Sequence, residues 1–228
     1  MKLYFDIETI PTSNKEVMDN ILAGISAPGN YTKPETIEKW MDENVPTIFD
    51  KELRKTALDG LYGEIMSIAW AIDDKPVDVI YRGNQGDKEA DVLSGFLDAI
   101  THVNDEYGNR GVISKWIGHY ICGFDLRFLW QRCVINGIKP EVKIPYDAKP
   151  WDSSVFDTKI AWTGASQYSG AGSLDALALV MLGEGKGEIN GANVYDYWMR
   201  GEYKMIADYN KKDVEMCRNL YKKMTFEG

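Results

Sequence analysis

Apolar and polar residues alternate at the start of the chain, where residues 2–7 read KLYFDI. A period of two over residues of high β propensity predicts a strand, which Pro11 ends. Residues 64–72 (EIMSIAWAI) and 77–81 (VDVIY) predict two further strands, and the turn residues DDKP between them predict a hairpin. Residues 112–118, VISKWIG, predict a fourth strand.

Helical spacing dominates between and after these strands. Residues 12–63 contain helix-like stretches, and we interpret them as a helical insertion after the first strand. Ser173 precedes the apolar run LDALALVMLG and predicts a capped helix. Two segments, 138–172 and 183–193, are rich in proline or glycine and are predicted as loops. The other predicted helices lie at about 87–107, 125–136 and 202–223.

This order of elements predicts an α/β fold with a mixed sheet of about five strands and helices packed on it. The chain has 228 residues. At roughly 100–200 residues per domain, we expect one domain over residues 1–228, with the insertion at about 12–63.

Composition narrows the class of protein. No stretch approaches the roughly 18 apolar residues of a transmembrane helix, and Asp6 lies where a signal peptide would need its apolar region. The three cysteines form no C-x-x-C pair, which suits free thiols in a reducing compartment, so we expect a cytoplasmic protein. The net charge of −9 disfavours broad adhesion to nucleic acid or to membranes. It leaves room for an enzyme that acts on nucleic acid at one metal-loaded cleft.

Acidic residues occur at three places where burial or a strand end is predicted. Asp6 and Glu8 are two apart on the first strand, so both side chains point to one face of the sheet. Asp125 begins a helix directly after a strand, where α/β sheets place ligands. Tyr209 and Asp213 are four apart on the apolar face of the last helix. Each feature alone is also met in ordinary structure: an exposed edge strand, a helix N-terminal charge and a satisfied Tyr–Asp contact.

Together, the four carboxylates suit hard cations that prefer oxygen ligands, namely Mg²⁺ or Mn²⁺. Two such ions about 4 Å apart can clamp the attacking and leaving oxygens of a phosphodiester displacement. The chain shows no serine or cysteine triad of comparable strength.

Three ordered motifs resemble those of the DEDD exonuclease superfamily, which has a ribonuclease-H-like fold. FDIET at 5–9 is similar to its first motif and GHYICGFDLRFL at 118–129 to its second. YNKKD at 209–213 resembles its third motif in the tyrosine form, since position 208 holds an aspartate and not the histidine of the other form. Residues 32–40 and 173–198 also resemble 3′–5′ exonucleases related to the proofreading domain of family-B DNA polymerases.

The resemblance implies a role for each motif residue. Asp6 would bridge two metal ions, Glu8 and Asp213 would complete the first site, and Asp125 would help to hold the second. Tyr209 would orient the attacking water. Substrate contacts are implied at Thr9, beside the 3′ terminus, and at position 120, where Tyr120 replaces the usual asparagine.

Residues outside the three motifs are weaker candidates for contact with a substrate. Tyr120 and Tyr168 are candidates for base stacking because each is predicted in a loop near a motif. Lys186, in the GEGKGE loop, could touch a phosphate or be a solvated loop residue. Basic residues of the insertion could guide a strand to the cleft or form a solvated helical face; they are Lys33, Lys39, Lys51, Arg54 and Lys55.

We therefore expect a metal-dependent 3′–5′ exonuclease that hydrolyses single-stranded DNA to nucleoside 5′-monophosphates. A 3′–5′ exoribonuclease is the nearest alternative, since the motifs do not distinguish the sugars. A silent nucleic-acid-binding or replisome module and an unrelated hydrolase, in which the acids would lie apart, also stay open. The expected partners are DNA or RNA and the replication or repair machinery, with no membrane.

Overall fold

The computed structural model describes residues 1–104, 107–164, 172–185 and 187–227. Their strands form one sheet: β1 (Lys2–Ile10), β2 (Glu64–Ile72), β3 (Asp78–Tyr81), β4 (Lys115–Gly118) and β5 (Val155–Asp157). Their α-helices are α1 (Lys15–Ala23), α2 (Pro34–Lys55), α3 (Glu89–Thr101), α4 (Asp125–Ile135), α5 (Thr158–Thr163), α6 (Leu174–Leu182), α7 (Val194–Met199) and α8 (Tyr203–Thr225). None of these helices has the length and apolar character needed to cross a membrane.

The sheet is mixed, with β1 at its centre. Its strand order is β3-β2-β1-β4-β5. β1 pairs with β2 and β2 with β3 in antiparallel fashion, whereas β4 lies parallel to β1 and β5 parallel to β4. The fold class predicted from the sequence is confirmed, including the hairpin of β2 and β3 and the central place of the first strand.

The alternation along β1 sends its side chains into two different layers. Leu3, Phe5 and Ile7 pack into a core with residues of α3 and α4 on one face of the sheet. Tyr4 packs on the opposite face with Val214 and other residues of α6 and α8. Asp6 and Glu8 follow Tyr4 at intervals of two, so they face α8.

The helical insertion between β1 and β2 contains one long helix. Helix α2 runs unbroken from Pro34 to Lys55, with Pro46 inside it. Proline removes one backbone hydrogen bond from a helix interior. A helix on the surface can leave that carbonyl to water, which explains why the chain continues through Pro46 as a helix.

The segment 138–172, predicted to be rich in loops, also contains two short regular elements. β5 and α5 both lie within it, and α7 follows the glycine-rich loop at 183–193. β5 has three residues and α5 and α7 have six each. Such short elements show too few periods of hydrophobic alternation to be recognised, and tertiary contacts decide their conformation.

Candidate active site

Carboxylates from the first and last elements of the chain meet on one face of the sheet. Each of Asp6, Glu8 and Asp213 offers an oxygen atom, and these oxygens lie within 4.8 Å of one another. Asp6 and Glu8 come from the central strand, and Asp213 comes from the helix that packs across it. The acids are therefore not scattered, as they would be in an unrelated hydrolase with chance motifs.

Asp125 adds a fourth carboxylate to the same cleft. It is the first residue of α4, after β4 and a short loop, and only 3% of its surface is exposed. Its Oδ1 atom accepts a hydrogen bond of 3.3 Å from the backbone N–H of Ile7, between the two acids of β1. This bond fixes Asp125 beside Asp6 and Glu8.

The four carboxylates lie close enough together for their negative charges to repel one another. Burial raises the pKa of Asp6 well above its usual range, and the charges of Asp125, Glu8 and Asp213 raise it further. Burial likewise raises the pKa of Asp125 to about 7, against the lowering effect of hydrogen bonds from its own backbone N–H and that of Ile7. A cation would offset this charge, so this set of oxygen donors fits hard divalent ions such as Mg²⁺ or Mn²⁺.

Tyr209 lies one turn before Asp213 on α8 and lines the same cleft. Burial raises the pKa of its hydroxyl, and the charges of Glu8 and Asp213 and a hydrogen bond to Asp213 act in the same direction. The phenol therefore stays protonated at neutral pH, and beside its hydrogen bond to Asp213 its oxygen can accept a hydrogen bond from a group in the cleft.

Asn210 is a residue of the site that the sequence analysis missed. It is fully buried, and its Nδ2 atom donates a hydrogen bond of 2.6 Å to Oδ2 of Asp6. Its Oδ1 atom accepts one of 3.0 Å from Ser67, which lies opposite Glu8 in the β1–β2 pairing. Both sides of the amide are thus used to hold Asp6. The signal was present, because a polar residue next to Tyr209 falls on the apolar face of α8.

Asp157, at the end of β5, organises the second motif and was also missed. Its Oδ1 accepts a hydrogen bond of 2.9 Å from the N–H of Tyr120, and its Oδ2 accepts one of 3.1 Å from Cys122. The same carboxylate caps α5 by accepting from the N–H groups of Lys159 and Ile160. An Asp at the N-cap of a helix is a recognisable pattern, but the loop prediction over this segment concealed it.

The acids line a cleft of about 900 Å³, and residues of α2 form another part of its lining. Lys51, Arg54 and Lys55 are the basic residues that this helix contributes to the lining. Arg54 is paired with Asp50 of α2 at 2.8 Å and with Asp196 of α7 at 2.6 Å. The C-terminal part of the insertion therefore faces the cleft, whereas Lys33 and Lys39 are not among the residues that line it.

The two predicted substrate contacts, Thr9 and Tyr120, also line the cleft. The Thr9 hydroxyl donates a hydrogen bond of 2.8 Å to the backbone oxygen of Ala57 and so ties β1 to the end of the insertion. Tyr120 is 40% exposed. Nδ1 of His119 lies 3.0 Å from the Thr158 hydroxyl, which connects the second motif to α5. Tyr168 and Lys186, named above as weaker candidates, lie outside the described residues.

The chain is similar to known proteins in sequence and in fold. Residues 58–227 match the family described as "Predicted 3′-5′ exonuclease related to the exonuclease domain of PolB". The chain is 24% identical over 175 residues to the "Putative DNA polymerase 060R" of Frog virus 3 (isolate Goorha). The structure of a family B DNA polymerase from the archaeon Pyrobaculum calidifontis aligns with 98% of the chain at 16% identity, with a TM-score of 0.55.

The extent of these matches limits what each one shows. The chain spans 16% of the viral protein and 24% of the archaeal polymerase, and the structural likeness shows a shared fold. The family match begins after β1, so Asp6 and Glu8 lie outside it, although the structural alignment extends over nearly the whole chain. Because residues 58–227 make up most of the chain, the protein belongs to the family of predicted 3′–5′ exonucleases related to the exonuclease domain of PolB.

Proposed function

We propose that the protein is a metal-dependent 3′–5′ exonuclease that removes nucleoside 5′-monophosphates from single-stranded DNA. The observation that carries this proposal is the meeting of Asp6, Glu8 and Asp213 within 4.8 Å, beside Asp125, in an open cleft. We propose further that residues 1–228 act as one exonuclease domain. The relatives are described as DNA polymerases, which supports DNA as the substrate and replication or repair as the setting.

The proposal assigns the metal ligands to the four carboxylates. Asp6 would be shared between two ions, Glu8 and Asp213 would complete one site, and Asp125 would serve the other. Bound there, Mg²⁺ or Mn²⁺ would supply the Lewis acidity that makes water a nucleophile at neutral pH and offsets charge on the phosphodiester. The carboxylates must be ionised to act as ligands, so binding also lowers their effective pKa values.

The remaining residues act on water and on the strand. The oxygen of the protonated Tyr209 hydroxyl, adjacent to the acids, accepts a hydrogen bond from the attacking water and so orients it for in-line displacement. Asn210 holds Asp6 in position through its 2.6 Å hydrogen bond. Thr9 and Tyr120 contact the 3′-terminal nucleotide at the edge of the cleft.

A gel assay tests the function. 5′-labelled single-stranded DNA and RNA of one sequence are incubated with the protein in Mg²⁺, in Mn²⁺ or in EDTA. We expect a ladder that shortens from the 3′ end, depends on metal and is formed faster on DNA. Faster shortening of RNA would assign the protein as an exoribonuclease instead.

Two variants of α8 make the assay specific. Asp213→Asn should abolish the ladder, whereas Asp208→Asn, which changes an exposed acid on the same helix that pairs with Lys204, should leave it intact. A ladder of wild-type intensity from purified Asp213→Asn protein would refute the assignment. A folded wild-type protein that binds nucleic acid and cuts neither substrate would favour a binding module.

A further inference from the structure

A second cavity adjoins the cleft on the side of the second motif. It measures about 530 Å³ and lies between the start of α4 and residues 146–151. Tyr120 and Lys159 line both this cavity and the carboxylate cleft. These two side chains therefore stand at the junction between the two spaces.

The lining of the second cavity combines cations with aromatic rings. Arg127, Lys149 and Lys159 contribute positive charge, against one acid of the lining, Asp147. Trp151 lines the cavity with 73% of its surface exposed. In a chain of net charge −9, such a local excess of positive charge is a departure. Cationic grooves with exposed aromatic side chains are typical of surfaces that bind single-stranded nucleic acid.

Lys159 is held at the junction by the ring of Tyr120. Its Nζ atom lies 4.0 Å from the ring centroid, a distance at which the ring attracts the ammonium group. The ring in turn packs on Gly123, where an added Cβ atom would lie 2.4 Å from the ring. The ring contact favours this position of the ammonium group, which keeps its capacity to bind an anion.

The backbone of Tyr120 is in a strained conformation. Its φ is +66°, in the left-handed region that asparagine and glycine adopt more readily than a bulky residue. Hydrogen bonds on both sides of the residue enforce this conformation. Asp157 accepts one from the Tyr120 N–H, and the N–H groups of Gly123 and Phe124 donate to the backbone carbonyl oxygen of Tyr120. Strain of this kind persists where the surroundings enforce it, and it concentrates at binding sites.

We propose that the second cavity binds the nucleotide next to the 3′-terminal one, with Lys159, positioned by Tyr120, contacting the phosphate that joins the two nucleotides. Arg127 contacts the next phosphate towards the 5′ end, and Trp151 stacks on a base. This inference rests on the proposed exonuclease function and extends it to the part of the strand that precedes the terminal nucleotide.

The test measures binding of 5′-fluorescein-labelled oligothymidylates of two to eight nucleotides over a range of salt concentrations. Wild-type protein is measured in EDTA, and Asp213→Asn protein is measured in Mg²⁺. Each phosphate contact with a single strand contributes about 0.7 to the slope of log K against log salt concentration. Lys159→Met should lower the slope by about 0.7 for every oligonucleotide, and Arg127→Ala should do so only for those long enough to reach it.

Variants at position 120 separate the ring from the rest of the loop. Tyr120→Asn suits the left-handed backbone and removes the ring, so it should fold well, reduce the slope as Lys159→Met does and weaken binding about tenfold. Tyr120→Phe keeps the ring and should bind like the wild type. Gly123→Ala should displace the ring and resemble Tyr120→Asn. Lys139→Ala, an exposed lysine that lines neither cavity, is the control and should leave the slope unchanged.

Three outcomes decide the matter. Reduced slopes in Lys159→Met, Tyr120→Asn and Arg127→Ala support the second site. Wild-type slopes in these variants, in a protein that still shortens DNA from the 3′ end, would overturn the second site and leave the exonuclease function standing. Failure of the wild type either to bind or to cleave any oligonucleotide would overturn both proposals.

Discussion

The two sides of the cleft are built in different ways. The floor, formed by Asp6, Glu8, Asp125 and Asp213, lies on the central strand and on two helices packed against the sheet, and its acids are largely withdrawn from water. The wall is the basic edge of α2, formed by Lys51, Arg54 and Lys55. Of the residues of α2, all of which the structure describes, Leu53 is the buried one.

This contrast indicates that the two sides of the cleft have different functions. Groups that perform chemistry need positions held within a fraction of an ångström, which buried packing and hydrogen bonds such as that from Asn210 supply. Cations that attract a flexible strand act over longer distances, and their own salt bridges can be exchanged for phosphates. We therefore expect changes in the floor to affect the rate of hydrolysis, and changes in the wall to affect the affinity for substrate.

The largest effect is expected from the floor. Asp6→Asn removes the carboxylate proposed to be shared by two metal ions, so kcat should fall by about a thousandfold or more. The amide can still accept the hydrogen bond from Asn210, which keeps the local fold. Kinetics in Mg²⁺ and in Mn²⁺ provide the measurement, and a kcat within tenfold of the wild type would exclude Asp6 from the metal site.

A smaller effect on kcat is expected from a change at Asn210, which holds Asp6 in position. Asn210→Ala removes the hydrogen bond to Asp6 and should lower kcat or metal affinity about 10- to 100-fold. Asn136→Ala is the matched control, because its amide also donates to a carboxylate, that of Glu89 at 2.8 Å, which does not line the cleft. Equal loss of activity in both variants would show that Asn210 acts through stability alone.

Changes in the wall should alter KM and leave kcat in place. Arg54→Ala should raise KM about three- to tenfold, because a cation facing the cleft is lost. Asp196→Asn removes the acid that competes for Arg54 and should lower KM, which is the opposite sign. Lys39→Ala on the same helix does not line the cleft and should have no effect. A fall in kcat in Arg54→Ala would contradict the division between floor and wall.

The smallest effect concerns stability and its dependence on pH. Because the folded-state pKa values of Asp6 and Asp125 are raised, the stabilising effect of their protonation is complete below about pH 4 and is lost as the pH rises. The metal-free protein should therefore lose stability from pH 4 towards pH 7, the raised pKa of Asp125. Asp6→Asn removes part of this repulsion and should raise Tm in EDTA at neutral pH.

Divalent metal should reverse this loss of stability. At concentrations a hundredfold above Kd, Mg²⁺ or Mn²⁺ should raise the wild-type Tm by about 5–10 °C near pH 8, and by much less near pH 5. Thermal denaturation in metal and in EDTA measures the difference. An equal shift in Asp6→Asn would place the bound metal elsewhere.

The amino-acid sequence by itself determined the central strand, the β2–β3 hairpin and the helices that begin at Asp125 and contain Asp213. The central strand and the two helices have a clear hydrophobic periodicity, and the hairpin is marked by its turn residues DDKP. It also determined that Asp6 and Glu8 share one face of β1 and that Tyr209 and Asp213 share one face of α8, since spacing of two on a strand and four on a helix fixes a common face. These local rules need no knowledge of the partner element.

Only the tertiary structure decided the rest of the site. Asp196 reaches Arg54 across 142 positions of sequence, and Asp157 organises the second motif from a strand of three residues. The positive φ of Tyr120 and its contact with Lys159 likewise depend on the hydrogen bond that the Tyr120 N–H donates to Asp157 and on the space above Gly123. Such contacts join residues far apart in the chain or within very short elements, where no local periodicity exists to predict them. They became visible only when the sheet and its helices were assembled.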